Sequence, residues 1–304
     1  MTLQMQHLLA EKQVVQEFFD STPQEDILER NSWQARLQSL EEMVKAEREK
    51  VVPVRAFITF RGRPVAGSHG IASTFGLAAT RAYTNIVQQI AAQWERPQPL
   101  RATGSVPGAR KFDLLVTGVA QGSFGFELEE RLDEQLSLEE RSVVARSLQK
   151  TNELLQSTLS NDDDLTEAIT GVDARAVDKV RVFLDVLRRN EATCAIENEN
   201  RRVRFETTDE VAASLGKLDY KNIFREEVNL RGRFEGLLPT PRTFEFRLQE
   251  NAEVVMGKIN PDVADVAEIN RHLYQPALIR AISHRVGNGK PRYVLVQNPQ
   301  WLDE

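Results

Sequence analysis

With one cysteine, four histidines and three tryptophans among its 304 residues, the chain has little material for thiol or metal chemistry. Cys194 cannot form an intramolecular disulfide, and its setting in the apparent strand Thr193–Ile196 suits a small buried thiol in a reducing compartment. His7, His69, His272 and His284 are scattered, none at helical spacing to a second histidine or beside a cysteine, so no zinc site is expected. No apolar run approaches the roughly 18 residues of a membrane span. The first residues also lack the basic start and apolar stretch of a secretory leader, so the expectation is a soluble cytoplasmic protein with no membrane partner. Ser68 and Ser123 stand near glycines but outside a Gly-x-Ser-x-Gly elbow, and the Gly-Lys-Ser/Thr ending of a phosphate loop is missing. The acidic run Asp162–Asp164 reads as a solvated helix start. No metal or other cofactor is expected.

What is present is ordinary globular material. Hydrophobic residues make up 41% and charged residues 28%, which excludes wholesale disorder, and the length suits two or three domains. The formal net charge of −6 argues against attraction of the whole surface to nucleic acid or anionic membrane.

Four segments follow from the patterning. Residues 1–50 read as a helical arm of two helices. Its second helix restarts at Ser21-Thr-Pro-Gln-Glu25, with Thr22 as cap, Pro23 in the first turn and Glu25 completing a capping box. It carries Trp33, Leu37, Leu40 and Val44 in a stripe that must bury, either on the chain's own core or against a protein partner or second copy. Residues 51–130 form an α+β core. Val54, Ala56, Ile58 and Phe60 alternate with polar residues as a half-buried strand does. Phe75, Ala79, Ala82, Tyr83, Ile86, Val87, Ile90 and Trp94 mark one long helix, and a hairpin follows with strands at 111–120 and 123–130. Gly118, Gly122 and Gly125 there signal a bulge, a tight turn or a close backbone approach.

Residues 131–221 read as a helical connector, opened by the capping box Ser137–Glu140, broken at Ser160–Asp164 and Gly171, and carrying a short hairpin at 192–206 and a helix from Thr207. Residues 222–304 give three strands, a helix and two strands, the order of an OB-like small β-barrel, although an SH3-like barrel would produce a similar string. The fold class is therefore α+β: helical arm, sandwich of strands on one long helix, helical connector and barrel.

Two sites compete with plain structural readings. The turn Gly67–Gly70 could hold an anion on Ser68, His69 and Gly70 before the long helix, or could simply need glycine for a tight turn. In the barrel segment, 222–299 holds 11 Lys and Arg against 9 Asp and Glu, whereas the rest of the chain is acidic. Arg231, Arg233, Arg242, Arg247, Lys258, Arg280, Arg285, Lys290 and Arg292 could track a phosphate backbone while Phe234, Phe244, Phe246 or Tyr293 stack on bases. Alternatively the phenylalanines fill the barrel and the arginines solubilise its outside.

The run Phe60–His69, the long helix after it and the Gly122–Leu128 hairpin are similar to uncharacterised bacterial proteins, some carried on mobile or phage-defence islands. The resemblance covers residues 54–130 and implies a bacterial cytoplasmic setting; it transfers no catalytic residue. The function expected is a non-catalytic binding or adaptor protein, part of an anti-phage defence system. The alternatives are nucleic-acid binding through the barrel and an enzyme using the His69 turn.

Overall fold

The computed structural model describes residues 3–49, 53–95, 109–120, 124–131, 143–198, 201–261, 263 and 266–302. It is mixed α+β with two compact units, one holding the described residues up to 53 and the other those from Val54 onward. No helix among the described residues is long and apolar enough to cross a membrane.

In the first unit, α1 (Leu3–Ser21) and α2 (Ile27–Glu49) form a helical hairpin. Leu40 and Val44 are buried with Val15, and Trp33 stacks on Phe18 with ring centroids 5.3 Å apart. The stripe on α2 thus finds much of its cover on α1. The helix begins later than the capping pattern places it. Thr22 donates its hydroxyl back to the Phe18 carbonyl and closes α1 instead of opening α2, and the Asp26 carbonyl accepts from the Arg30 N–H.

The second unit is built on a five-stranded antiparallel sheet. Its elements in chain order are β1 (Arg55–Gly62), the small hairpin β2 (Val65–Ala66) and β3 (Gly70–Ile71), then α3 (Ser73–Glu95), a 3-10 turn at Ala109–Phe112, β4 (Leu114–Ala120) and β5 (Gly125–Glu130). They continue as α4 (Val143–Leu159), α5 (Asp162–Ile169), α6 (Ala174–Arg189), β6 (Ala192–Asn198), β7 (Arg201–Arg204) and α7 (Thr208–Lys217). The strand order is β4-β5-β1-β6-β7. β1 and β4 flank β5, and β5 and β6 flank β1, so α3 and the α4–α6 stretch each cross over an intervening strand, a split βαβ arrangement.

The hairpin at 192–206 is therefore no appendage of a connector. It supplies β6, which pairs with the central strand β1 from Ala56↔Asn198 to Gly62↔Ala192. The helices of 143–217 share one core with the sheet: Ile58, Phe60, Leu128 and Ile196 from the strands meet Tyr83 and Ile86 of α3, Leu148 and Leu155 of α4, and Phe183 and Leu184 of α6. Ser137–Glu140 lies outside the described residues. The cap at Thr207 forms as its sequence predicts: Thr207 Oγ1 accepts from the Glu210 N–H, and Glu210 accepts from the Glu206 N–H.

The chain then enters a closed five-stranded barrel. Its elements are β8 (Ile223–Leu238), β9 (Thr243–Leu248), β10 (Val254–Ile259), α8 (Val266–Arg271), β11 (Pro276–Val286) and β12 (Arg292–Leu295), with β13 (Gln300–Trp301) adding to the β11 edge. Each neighbour pair is antiparallel except β10 with β12, and β12 on β11 completes the ring. Phe234 sits at its centre, 5.0 Å from Phe246 and 5.7 Å from Phe244, both edge-on. The phenylalanines fill the barrel and are buried inside it.

Candidate binding face and the barrel clamp

The helices cover one face of the five-stranded sheet. The other is open among the described residues and carries a groove of about 640 Å³. Its shape follows from strand register. Cross-strand neighbours point to the same side of a sheet, and one row across this face reads Ala120, Gly125, Thr59, Ala195, Arg204. Four small residues in line make a trough across the strands, closed at one end by an arginine. The adjoining row, Glu127, Phe57, Glu197, Arg202, forms one wall, and Arg61 with Thr193 forms the other.

The charges of this face balance. Arg55 pairs with Glu127 and Glu129 at 3.2 and 2.9 Å, Arg202 with Glu197 at 3.0 Å, and Arg204 with Glu206 at 2.9 Å. Arg61 has no ion pair among the described residues, and Phe57 is 36% exposed between two glutamates. Cys194 belongs to a strand beneath the trough, but its thiol is buried and burial holds it well above the ordinary thiol range. It is no nucleophile there.

Sequence reasoning missed the trough, because Thr59, Ala120, Gly125 and Ala195 are unremarkable in isolation. Only the pairing of β1 with β6, across more than a hundred residues of chain, lines them up.

The His69 turn is the tip of the β2–β3 hairpin. The His69 N–H donates to the Ala66 carbonyl at 3.0 Å, Gly67 takes a positive φ of 56°, and Ser68, His69 and their side chains are exposed. The helix starts at Ser73, so the turn is not its N-terminus and the helix dipole does not focus on it.

Seven of the nine barrel cations are engaged with groups of the chain itself. Arg233 and Arg247 both bond Glu235, at 3.0 and 2.6 Å, and hold its carboxyl below the usual range, Arg247 most strongly. Arg242 donates to the carbonyls of Ile259, Asn260 and Val263 and braces the chain after β10. Arg280 pairs with Glu227, and Arg285 bonds the Gly287 carbonyl while lying over the Phe224 ring. Lys258 and Arg292 converge on Glu167 of α5, at 3.5 and 2.9 Å. Burial and the nearby Lys150 lower the Lys258 pKa, partly offset by Glu167. Only the side chains of Arg231 and Lys290 are without a described partner.

The same short helix grips the loop between β11 and β12. Asp162 accepts from the Asn288 N–H at 3.2 Å, Asp163 accepts from the Lys290 N–H at 2.5 Å, and the Thr166 hydroxyl accepts from the Val286 N–H at 3.0 Å. A side chain at Gly287, which has φ +51°, would lie 2.4 Å from the Asp162 carboxylate, so the loop is shaped to this helix. The acidic run at 162–164 opens α5 with Asp163 and Asp164 exposed, as a solvated helix start does, and Asp162 and Asp163 in addition hold the barrel loop. A second cavity, of about 520 Å³, opens beside it on the outer face of β9 and β10, lined by Leu237, Leu238, Met256, Lys258 and Arg292.

No family model, curated protein or solved structure matches the chain.

Proposed function

We propose that this protein is a non-catalytic binding or adaptor protein that holds an extended segment of a protein partner in the trough of its open sheet face. The observation that carries the reading is the row of small residues Ala120, Gly125, Thr59 and Ala195, walled by side chains of both charges and an exposed aromatic ring. A backbone lies close only where side chains are small, and walls of mixed sign select a peptide of matching charge pattern over a uniform polyanion. The charged groups of the trough are arginines and glutamates, mostly paired, which orient a ligand and offer no activated nucleophile. The bacterial, cytoplasmic and phage-defence setting we propose rests on the resemblance of residues 54–130.

The barrel's strand order β8-β9-β10-β12-β11, its parallel β10–β12 pair and its helix between third and fourth strands support an OB-type assignment. Nucleic-acid binding is the second reading on that ground. Seven of its nine nominated cations are engaged within the chain, and the loop after β11 is held by α5, which favours the peptide reading.

Selection from a library of short random peptides on the whole protein tests the first reading. Ala195→Leu, which fills the trough, and Arg204→Glu, which reverses its end, are expected to weaken selected peptides at least about tenfold without moving the melting temperature. Peptides that bind all three proteins alike would refute the trough. Tight binding of labelled single-stranded DNA or RNA that falls steeply with salt, and is lost in Arg231→Glu, would establish the second reading instead.

A further inference from the structure

The two edges of the five-stranded sheet are treated in opposite ways. β7, at one edge, is four residues long and carries Arg201, Arg202 and Arg204. Short length and charge are standard means of blocking unwanted strand pairing. β4, at the other, is seven residues long, reads Leu-Leu-Val-Thr-Gly-Val-Ala and holds no charged residue. Its apolar side chains are exposed on both faces of the edge: Leu115, paired with Glu129, on the open face at 44%, and Val116 and Val119, paired with Leu128 and Phe126, on the helix side at 57% and 59%. No strand pairs with its outer side among the described residues. Among the described residues a bulge at Val116–Gly118 is its one blunting feature, and it leaves three-residue stretches on either side.

From this asymmetry we infer that β4 is a dimer edge: a second copy of this chain pairs its own β4 antiparallel across a two-fold axis. The occupant follows from self-complementarity. A two-fold interface sets the same patch against itself, so any charge on β4 would meet or approach its own kind. An uncharged strand with exposed apolar residues on both faces, β-branched on the helix side, meets only its like across such an axis, and cross-strand pairs of that kind are favourable. The product is one continuous ten-stranded sheet with two troughs on a shared face. The inference rests on the edge alone and stands whether or not the trough binds peptide.

Sedimentation equilibrium and light scattering on the full chain at tens of micromolar test it. The expected mass is twice the 34.5 kDa of the chain, and Val116→Lys with Val119→Lys is expected to return it to one chain with an unchanged circular dichroism spectrum. A milder pair, Val116→Thr with Val119→Thr, keeps the β-branched shape should the lysines disturb folding, and is expected to raise the dissociation constant about tenfold. A wild-type protein that stays a single chain throughout this range overturns the inference. So does a dimer that survives the threonine pair unweakened.

Discussion

Replacing Gly125 by alanine tests the description of the sheet where it is tightest. A Cβ at this position would lie 2.1 Å from the Ile58 carbonyl oxygen and 2.5 Å from the Thr59 Cα, whereas ordinary contact begins near 3.4 Å. The obstruction is backbone on both counts, so no side-chain rotation relieves it. β1 and β5, the two inner strands that carry Ile58, Phe60 and Leu128 into the core, must separate by about 1 Å. Overpacking that side chains can absorb costs about 1–3 kcal/mol, and a clash that backbone must absorb belongs at or above the top of that range. For a unit of this size each kcal/mol moves the melting temperature by about 2–4 °C, so Gly125→Ala is expected to melt at least about 6 °C lower. Gly216 provides the control: it lies in α7 with no atom within 4 Å of its added Cβ. There alanine gains helix propensity worth about 0.5–1 kcal/mol, and the protein is expected to melt slightly higher. Scanning calorimetry on both variants reads the contrast. A Gly125→Ala protein melting within about 2 °C of wild type would refute the close approach of the two strands.

Three further outcomes follow from buried groups and from the clamp. Burial, then Arg225 and Lys258, pushes the His284 pKa down to about 4. Between the ordinary value of 6.5 and 4 the unfolded chain therefore binds a proton that the folded chain refuses, and stability falls with acidification across that window by up to roughly 3 kcal/mol. Denaturant titrations should show this loss in wild type and a flatter profile in His284→Gln. Glu167→Gln removes the carboxylate shared by Lys258 and Arg292, and for these partly exposed pairs a loss of about 1 kcal/mol is expected in the same titrations, diminishing at high salt. Cys194 is buried with its pKa raised by desolvation. Aromatic disulfide reagents should modify it only at the rate of unfolding, and fast labelling of the native protein would contradict its placement.

What was legible in the sequence is what repeats locally. The alternation of Ala56, Ile58 and Phe60 gave β1 its buried face, the apolar spacing from Phe75 to Ile90 gave α3, and the Thr207–Glu210 pair gave the start of α7, because each signal lies within one element. The barrel strands could be read for the same reason. At Thr22 two local signals competed, and the hydroxyl bonded backward to Phe18, so α2 starts later than its capping pattern suggests. The pairing of β6 with β1 was invisible, since a hairpin reads identically whether it stands alone or completes a distant sheet. The trough inherits that invisibility. The fate of the barrel arginines was hidden similarly: Arg233 and Arg247 share Glu235 only because β8 and β9 bring them opposite each other.

The clamp formed by α5 has a consequence for how this chain can vary. Its eight residues run between the breaks at Ser160 and Gly171 and aim three sets of groups at once: Asp162 and Asp163 at the loop, Thr166 at the Val286 amide, and Glu167 at two cations. Successive helical residues are rotated by about 100°. Losing or gaining one residue inside the segment would swing every group beyond that point off its mark, while Leu165 and Ile169 would leave the core they fill. Substitution at the exposed Asp164 is a small matter. A change of length is not, and the span 160–171 therefore acts as a fixed ruler between the layered body and the barrel.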